Sequence, residues 1–198
     1  MNYKETREKQ MELGLIRHGS TAWNKEGRAQ GSSDIPLDEE GLKGAKLLAE
    51  RLQEGDWKII YSSDLTRARQ TAEIIANKLQ IKLVLDERLR ETNGGLIEGT
   101  TEAERIARWG MNWREQDLGI ESSASVKART QSFVKELAVT PVQNTLIVSH
   151  GALLNATMSE LIPKAMYDQS LKNSSLTSLK LVNSIWECSL YNCTEHLM

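Results

Sequence analysis

Cysteine, histidine and proline are all scarce in this 198-residue chain, which has two, three and three of them. Cys188 and Cys193 are not spaced as a CxxC redox pair, and no further cysteines could complete a zinc site. They read as ordinary thiols of a reducing cytoplasm. His18, His150 and His196 form no HExxH motif and no cluster with cysteine, and there is no Asp-rich loop. That argues against a protein-bound metal centre. No charge sign dominates: 25 basic and 27 acidic residues leave a net −2. Such a surface does not suit a general nucleic-acid binder, so any anion site must be a local concentration of Arg and His. No apolar run approaches the length of a membrane span. Met1 to Gln10 is charged and carries no signal-peptide core. The expectation is a cytoplasmic protein of one domain, 1–198, with 1–11 as an extension.

What is present is an alternation of short apolar runs and amphipathic stretches. Leu13-Gly14-Leu15-Ile16, Lys58-Ile59-Ile60-Tyr61, Lys82-Leu83-Val84-Leu85 and Thr145-Leu146-Ile147-Val148 read as buried strands. A helix capped by Asp38 is expected to run until Gly55, and a second over Asp64 to Leu79. Further helices are predicted over Ala124 to Leu137 and Ala152 to Leu161. The stretch 92–125 is glycine-interrupted and reads as a lid, with a short helix from about Glu102 to Trp113. Trp109 and Trp113, four apart, are expected to pack the lid from one helical face. Leu176 to Leu181 and Ile185 to Tyr191 are expected to form a hairpin around Asn183-Ser184. Strands alternating with helices predict an α/β fold, a three-layer α/β/α sandwich with a mostly parallel central sheet.

The chemistry sits at the strand ends. Ile16-Arg17-His18-Gly19 and Val148-Ser149-His150-Gly151 each place a histidine and a glycine just beyond an apolar strand. In a parallel sheet both project from the edge where open α/β sheets bind ligands. Arginine beside an imidazole disfavours its protonated form, keeping a neutral nucleophile at pH 7. Gly151 lets backbone N–H groups at a helix start approach an anion. Arg67, in Ser62-Ser63-Asp64-Leu65-Thr66-Arg67, lies in the first turn of a helix near the same edge. Asp86-Glu87-Arg88-Leu89-Arg90-Glu91 brings a carboxylate beyond the third strand. Asn173, Ser174 and Ser175 read as a turn before a late strand, or as further contacts to the site.

RHGSTAWN, SSDLTRARQTAEI, DERLRE and SHG, in this order, resemble the histidine phosphatase superfamily, in its phosphoglycerate mutase-like branch. The likeness covers nearly the whole chain from Leu13. It implies a phosphohistidine intermediate on His18. It assigns Arg17, Arg67 and His150 to the phosphate clamp, His150 being protonated as charge builds in the transition state, and Glu91 to general acid/base work, with Glu87, Glu98 and Glu102 as competing carboxylates. Asn24 matches an asparagine that helps hold phosphate, and Gln30 falls where some members also contact it. No cofactor is implied, because the side chains supply the cations. Two departures stand out. Ser20 occupies a position where many relatives carry Glu, and Ile97 replaces a tryptophan in Asn93-Gly94-Gly95-Leu96-Ile97-Glu98-Gly99.

The resemblance also frames the choice of reaction. A mutase holds its dephosphorylated intermediate and excludes water, whereas a phosphatase admits it. Glycolytic mutases of this family carry a longer, proline-rich insertion between the acid and the second histidine. This chain has no proline between Pro36 and Pro141. The short lid favours a phosphomonoester hydrolase acting on a small phosphorylated substrate. A mutase and a non-catalytic phosphate-binding module are the alternatives. The stretch Leu171 to Leu181 is a candidate edge strand for pairing two copies into a homodimer.

Overall fold

The computed structural model describes residues 11–54, 56–140, 144–162 and 170–198. Strand β1 (Glu12–Arg17) leads into a one-turn helix α1 (Ala22–Lys25) and then helix α2 (Glu39–Arg51). Next come β2 (Ile59–Ser62), α3 (Thr66–Leu79) and β3 (Lys82–Leu85). Helix α4 (Glu102–Trp109) lies in the covering segment, and α5 (Ser123–Val139) follows it. Strand β4 (Thr145–Ser149), helix α6 (Gly151–Leu161) and strands β5 (Leu176–Val182) and β6 (Ile185–Cys193) complete the order.

The sheet runs β3-β2-β4-β1-β5-β6. Its first three pairings are parallel, and the last two are antiparallel. The pleat divides the apolar side chains between two layers of helix. Ile16, Ile60, Leu146 and Val148 face α2 and α3, meeting Leu48, Ala72 and Ile75. Leu13, Leu15, Ile147 and Leu179 face α5 and α6, meeting Phe133, Leu153, Leu154 and Met158. The three-layer sandwich with a mostly parallel sheet is therefore present.

Several boundaries differ from expectation for identifiable reasons. Helix α2 ends at Arg51, and Gly55 lies outside the described residues. Helix α3 starts at Thr66 rather than Asp64. Asp34 caps it from a distant loop, accepting from Thr66 N at 2.6 Å and Thr66 Oγ1 at 2.8 Å, while Asp64 pairs with Arg90. Helix α4 stops at Trp109 because Gly110 turns to φ +83°. Trp113 therefore leaves the helical face of Trp109. It is buried in a 3-10 turn with the guanidinium groups of Arg105 and Arg114 over its ring. Met11, expected in the extension, is buried and its carbonyl accepts from Leu181 N; residues 1–10 lie outside the described residues. Asn183 and Ser184 both take positive φ, the turn that closes a two-residue hairpin. Strand β5 is not an edge: it lies between β1 and β6, so the proposed edge role of Leu171 to Leu181 does not hold. No helix among the described residues is long and apolar enough to cross a membrane.

Candidate active site at the strand tips

Parallel pairing of β1 and β4 sets Arg17 opposite Ser149, so the next residue of each strand is a histidine. His18 N donates to Ser149 O at 3.0 Å, and the two imidazoles meet with centroids 5.1 Å apart. His18 and His150 are both almost wholly buried. The loop after His18 lies directly on the start of α2: a Cβ on Gly19 would stand 2.6 Å from Gly41 O, and one on Gly41 would stand 2.1 Å from Ser20 O. Backbone-to-backbone contact of this kind admits only glycine on both sides. Gly19 N donates to Thr71 Oγ1, and Ser20 Oγ to the cap residue Asp38.

The tautomer of His18 is set by Nδ1, which donates to Gly19 O at 2.7 Å. Nε2 is then the lone-pair nitrogen. Burial, Arg67 and Arg17 together hold the His18 pKa well below that of a free imidazole, outweighing the Gly19 carbonyl. A neutral imidazole results. The expected protonation of His150 belongs to the transition state with phosphate present. Burial, then Arg67, His18 and Arg17, push its pKa well below the ordinary value, so it is neutral rather than protonated in the free site. Its Nδ1 accepts from Arg67 Nε at 3.2 Å, which leaves Nε2–H to donate to Ser63 Oγ at 2.9 Å.

Arg67 is fully buried in the first turn of α3. Its Nη1 and Nη2 donate to Ser33 O and Gly31 O, both at 2.7 Å. Burial lowers its pKa to about 10, against the favourable fields of Glu91, Asp34 and Glu98. Arg17 donates through Nη1 to Leu171 O, while its buried Nε has no acceptor among the described residues. A Cβ on Gly151 would come 3.8 Å from that Nε, so the first residue of α6 borders the unmet donor. Such a donor is what an anionic oxygen would satisfy.

Glu91 reaches the same place from beyond β3. Its Oε2 accepts from Ala152 N at 3.2 Å and its Oε1 from Thr92 N at 2.9 Å. It also feels the fields of both Arg17 and Arg67. Of the competing carboxylates, Glu98 and Glu102 are engaged elsewhere, while Glu87 lines one cavity together with Glu91. Glu98 accepts from Ser32 N, Ser33 N, Ser33 Oγ and Gly94 N, and Glu102 holds Trp113 and Arg114. A cavity of about 310 Å³ opens beside Glu91, bordered by Ser32, Arg90, Asn93 and Arg129.

Asn24 lies on α1, with its Oδ1 accepting from Thr21 and from Asn173 Nδ2. No acceptor is paired with its amide nitrogen among the described residues. Gln30 is buried with Oε1 unpaired, next to Gly31, whose carbonyl holds Arg67. Asn173 to Ser175 do both things expected of them. They turn the chain, with Ser174 at φ +57°, and Asn173 ties the carbonyls of His18 and Gly19. Sequence reasoning missed Ser63, Thr71, Glu98 in its supporting role, and Arg129. Ser63 and Thr71 lie inside the motif SSDLTRARQTAEI, whose pattern gives neither of them a role. Nothing local marks Arg129 as a partner of the carbonyls of Arg88, Arg90 and Glu91, which lie about forty positions away.

Two strand-tip histidines, the buried Arg67, the half-buried Arg17 and a carboxylate surround an unmet donor at the strand tips of an α/β sandwich. Residues 13–194 match the model of the histidine phosphatase superfamily, branch 1, and the chain belongs to that family of enzymes. It is 34% identical to a probable phosphoglycerate mutase GpmB of Yersinia enterocolitica, over 90% of this chain and 89% of that protein. Among solved structures, a mycobacterial glucosyl-3-phosphoglycerate phosphatase is 30% identical, with a TM-score of 0.80 over 93% of this chain and 99% of that one. A phosphoserine phosphatase of Entamoeba histolytica, solved with 3-phosphoglyceric acid, is 29% identical, with a TM-score of 0.78 over 94% and 99%.

Proposed function

We propose that this enzyme hydrolyses small, polar phosphomonoesters through a phosphohistidine on His18. The observation that carries the reading is the state of His18. It is neutral, held in one tautomer by Gly19 O, and flanked by Arg17 and Arg67. In the first step the Nε2 lone pair forms an N–P bond as the ester P–O bond breaks. Arg17, Arg67, the amide of Asn24 and the Nε2–H of His150, shared between Ser63 Oγ and the phosphate, stabilise the charge on the equatorial oxygens. Gln30 and the N-terminus of α6 at Gly151 complete the phosphate seat. Glu91 gives its proton to the leaving alkoxide. In the second step Glu91, now a carboxylate, takes a proton from water, whose oxygen attacks phosphorus. The P–N bond breaks, its electron pair returns to Nε2, and inorganic phosphate leaves.

Charged and polar residues border the cavity beside Glu91. That lining favours a hydroxylated or carboxylated alcohol as leaving group. A cytoplasmic setting belongs to this reading, and both cysteines are free thiols. The likeness to proteins named probable phosphoglycerate mutase supports a second reading, phosphoryl transfer between two hydroxyls of one substrate. Incubation with 3-phosphoglycerate in EDTA separates the two, with an aryl phosphate run in parallel. Free phosphate without 2-phosphoglycerate supports the hydrolase. Isomer with little free phosphate replaces it by the mutase.

A further inference from the structure

One ion pair outside the strand tips touches the main chain on both sides of Glu91. Arg129, on α5, donates through Nη1 to Arg88 O at 2.7 Å and Arg90 O at 2.6 Å, and through Nη2 to Glu91 O at 3.2 Å. The same guanidinium grips Glu121 through Nε at 2.9 Å and Nη2 at 3.0 Å. Glu121 closes the ring: its Oε2 accepts from Asn93 N, and its own N donates to Asn93 O at 2.9 Å. Both side chains are more than four-fifths buried, at 18% and 16% exposure. Burial works against the Glu121 carboxylate, yet its bonds to Arg129, Ser125 and Asn93 hold its pKa below the ordinary range. The pair is therefore charged and charge-assisted throughout.

We infer that Arg129, held by Glu121, is the positioning residue for Glu91. This rests on Glu91 being the general acid of the proposed hydrolysis. Other ties in this stretch are Ser149 Oγ to Leu89 O and the Arg90–Asp64 ion pair, neither of which reaches Glu91 itself. The Glu91 carboxylate takes one of its two donors from Thr92 N, so its direction depends on how the chain at 91–93 is set. Three bonds from one planar fork to the carbonyls of Arg88, Arg90 and Glu91, with two more to Glu121, set it, and a lysine cannot make them all. Arg17, His18, Arg67 and His150 stand on other elements, so loosening this loop should leave phosphate binding intact.

The test compares wild type, Arg129→Lys, Glu121→Gln, Glu91→Gln and the double variant Glu91→Gln/Arg129→Lys. Each is assayed with 4-nitrophenyl phosphate and an alkyl phosphate, and melting curves check the fold. Misplacement of a catalytic group by about 1 Å can cost about 10²-fold. Arg129→Lys is expected to lower kcat/KM for the alkyl ester by about 10- to 10²-fold, and for the nitrophenyl ester by less than about threefold, because only the alkoxide needs the proton. Inhibition by inorganic phosphate should stay at its wild-type strength. Glu121→Gln, which keeps the carbonyl contacts, should act in the same sense more weakly, and it serves if Arg129→Lys does not fold. The double variant should be no slower than Glu91→Gln alone. Equal loss on both esters, weakened phosphate inhibition, or additive losses in the double variant would overturn the positioning role. Equal loss on both esters from Glu91→Gln itself would instead sink the acid assignment, and the inference with it.

Discussion

The rings of His18 and His150 lie with centroids 5.1 Å apart and planes inclined by 58°, each just beyond the tip of a neighbouring parallel strand. Arg67 bridges them to the rest of the site, bonding His150 Nδ1 and contributing to the field on both imidazoles. Four consequences can be measured.

Replacing His18 by alanine removes the nucleophilic nitrogen and leaves Arg17, Arg67 and His150 in place. Turnover should vanish and no acid-labile phosphoprotein should form, while inorganic phosphate still raises the melting temperature. Rapid quench with radiolabelled substrate and thermal melts check this. Wild-type-like turnover in the variant would refute the phosphohistidine route.

Both histidines have folded-state pKa values well below the free value near 6.5. The unfolded chain therefore binds more protons than the folded one between those values and 6.5. Stability should be level with respect to these groups above pH 6.5 and fall as pH drops below it, by up to about 1.4 kcal/mol per pH unit for each histidine. Denaturant titrations from pH 7.5 to 5 should show a steep slope for wild type and a shallower one for His18→Gln. Identical slopes would mean that His18 is not held neutral.

Glu98 joins the 32–33 loop to the covering segment through four donors, and the carbonyls of Gly31 and Ser33 in that loop hold Arg67. Glu98→Ala should cost about 2–3 kcal/mol, since hydrogen bonds to a charged group contribute about 1.5–3 kcal/mol each and water replaces part of them. It should also raise KM through the loosened Arg67. Urea melts and steady-state kinetics read both effects, and an unchanged KM would separate the loop from phosphate binding.

Ser63 Oγ fixes the donor end of His150. Ser63→Ala should weaken inhibition by vanadate and lower kcat/KM by about tenfold, the cost of one misoriented donor of about 1.4 kcal/mol. Alanine at this buried site should leave the melting temperature within a few degrees of wild type. Unchanged vanadate inhibition would show that the bond from Arg67 orients the ring without Ser63.

Much of this protein was legible before any coordinates. The strands β1 to β4, the helices between them and the tips carrying Arg17-His18 and Ser149-His150 follow from local periodicity and from glycine placement, which act over a few residues. The neutrality of His18 could be argued from Arg17 beside it. What the tertiary structure alone decided is which groups meet. The protonation of His150 turned on Arg67 and Ser63, brought to it from another strand tip, and on complete burial. The start of α3 turned on Asp34, a cap from outside the helix, and the end of α4 on a glycine turn that the spacing of two tryptophans concealed. The setting of Glu91 by Arg129 and Glu121 depends on the packing of α5 against the turn at Arg88 to Glu91. Local patterns specify φ, ψ and which face is apolar. Charge, tautomer and donor pairing are properties of neighbours in space, and those exist only once the layers have closed.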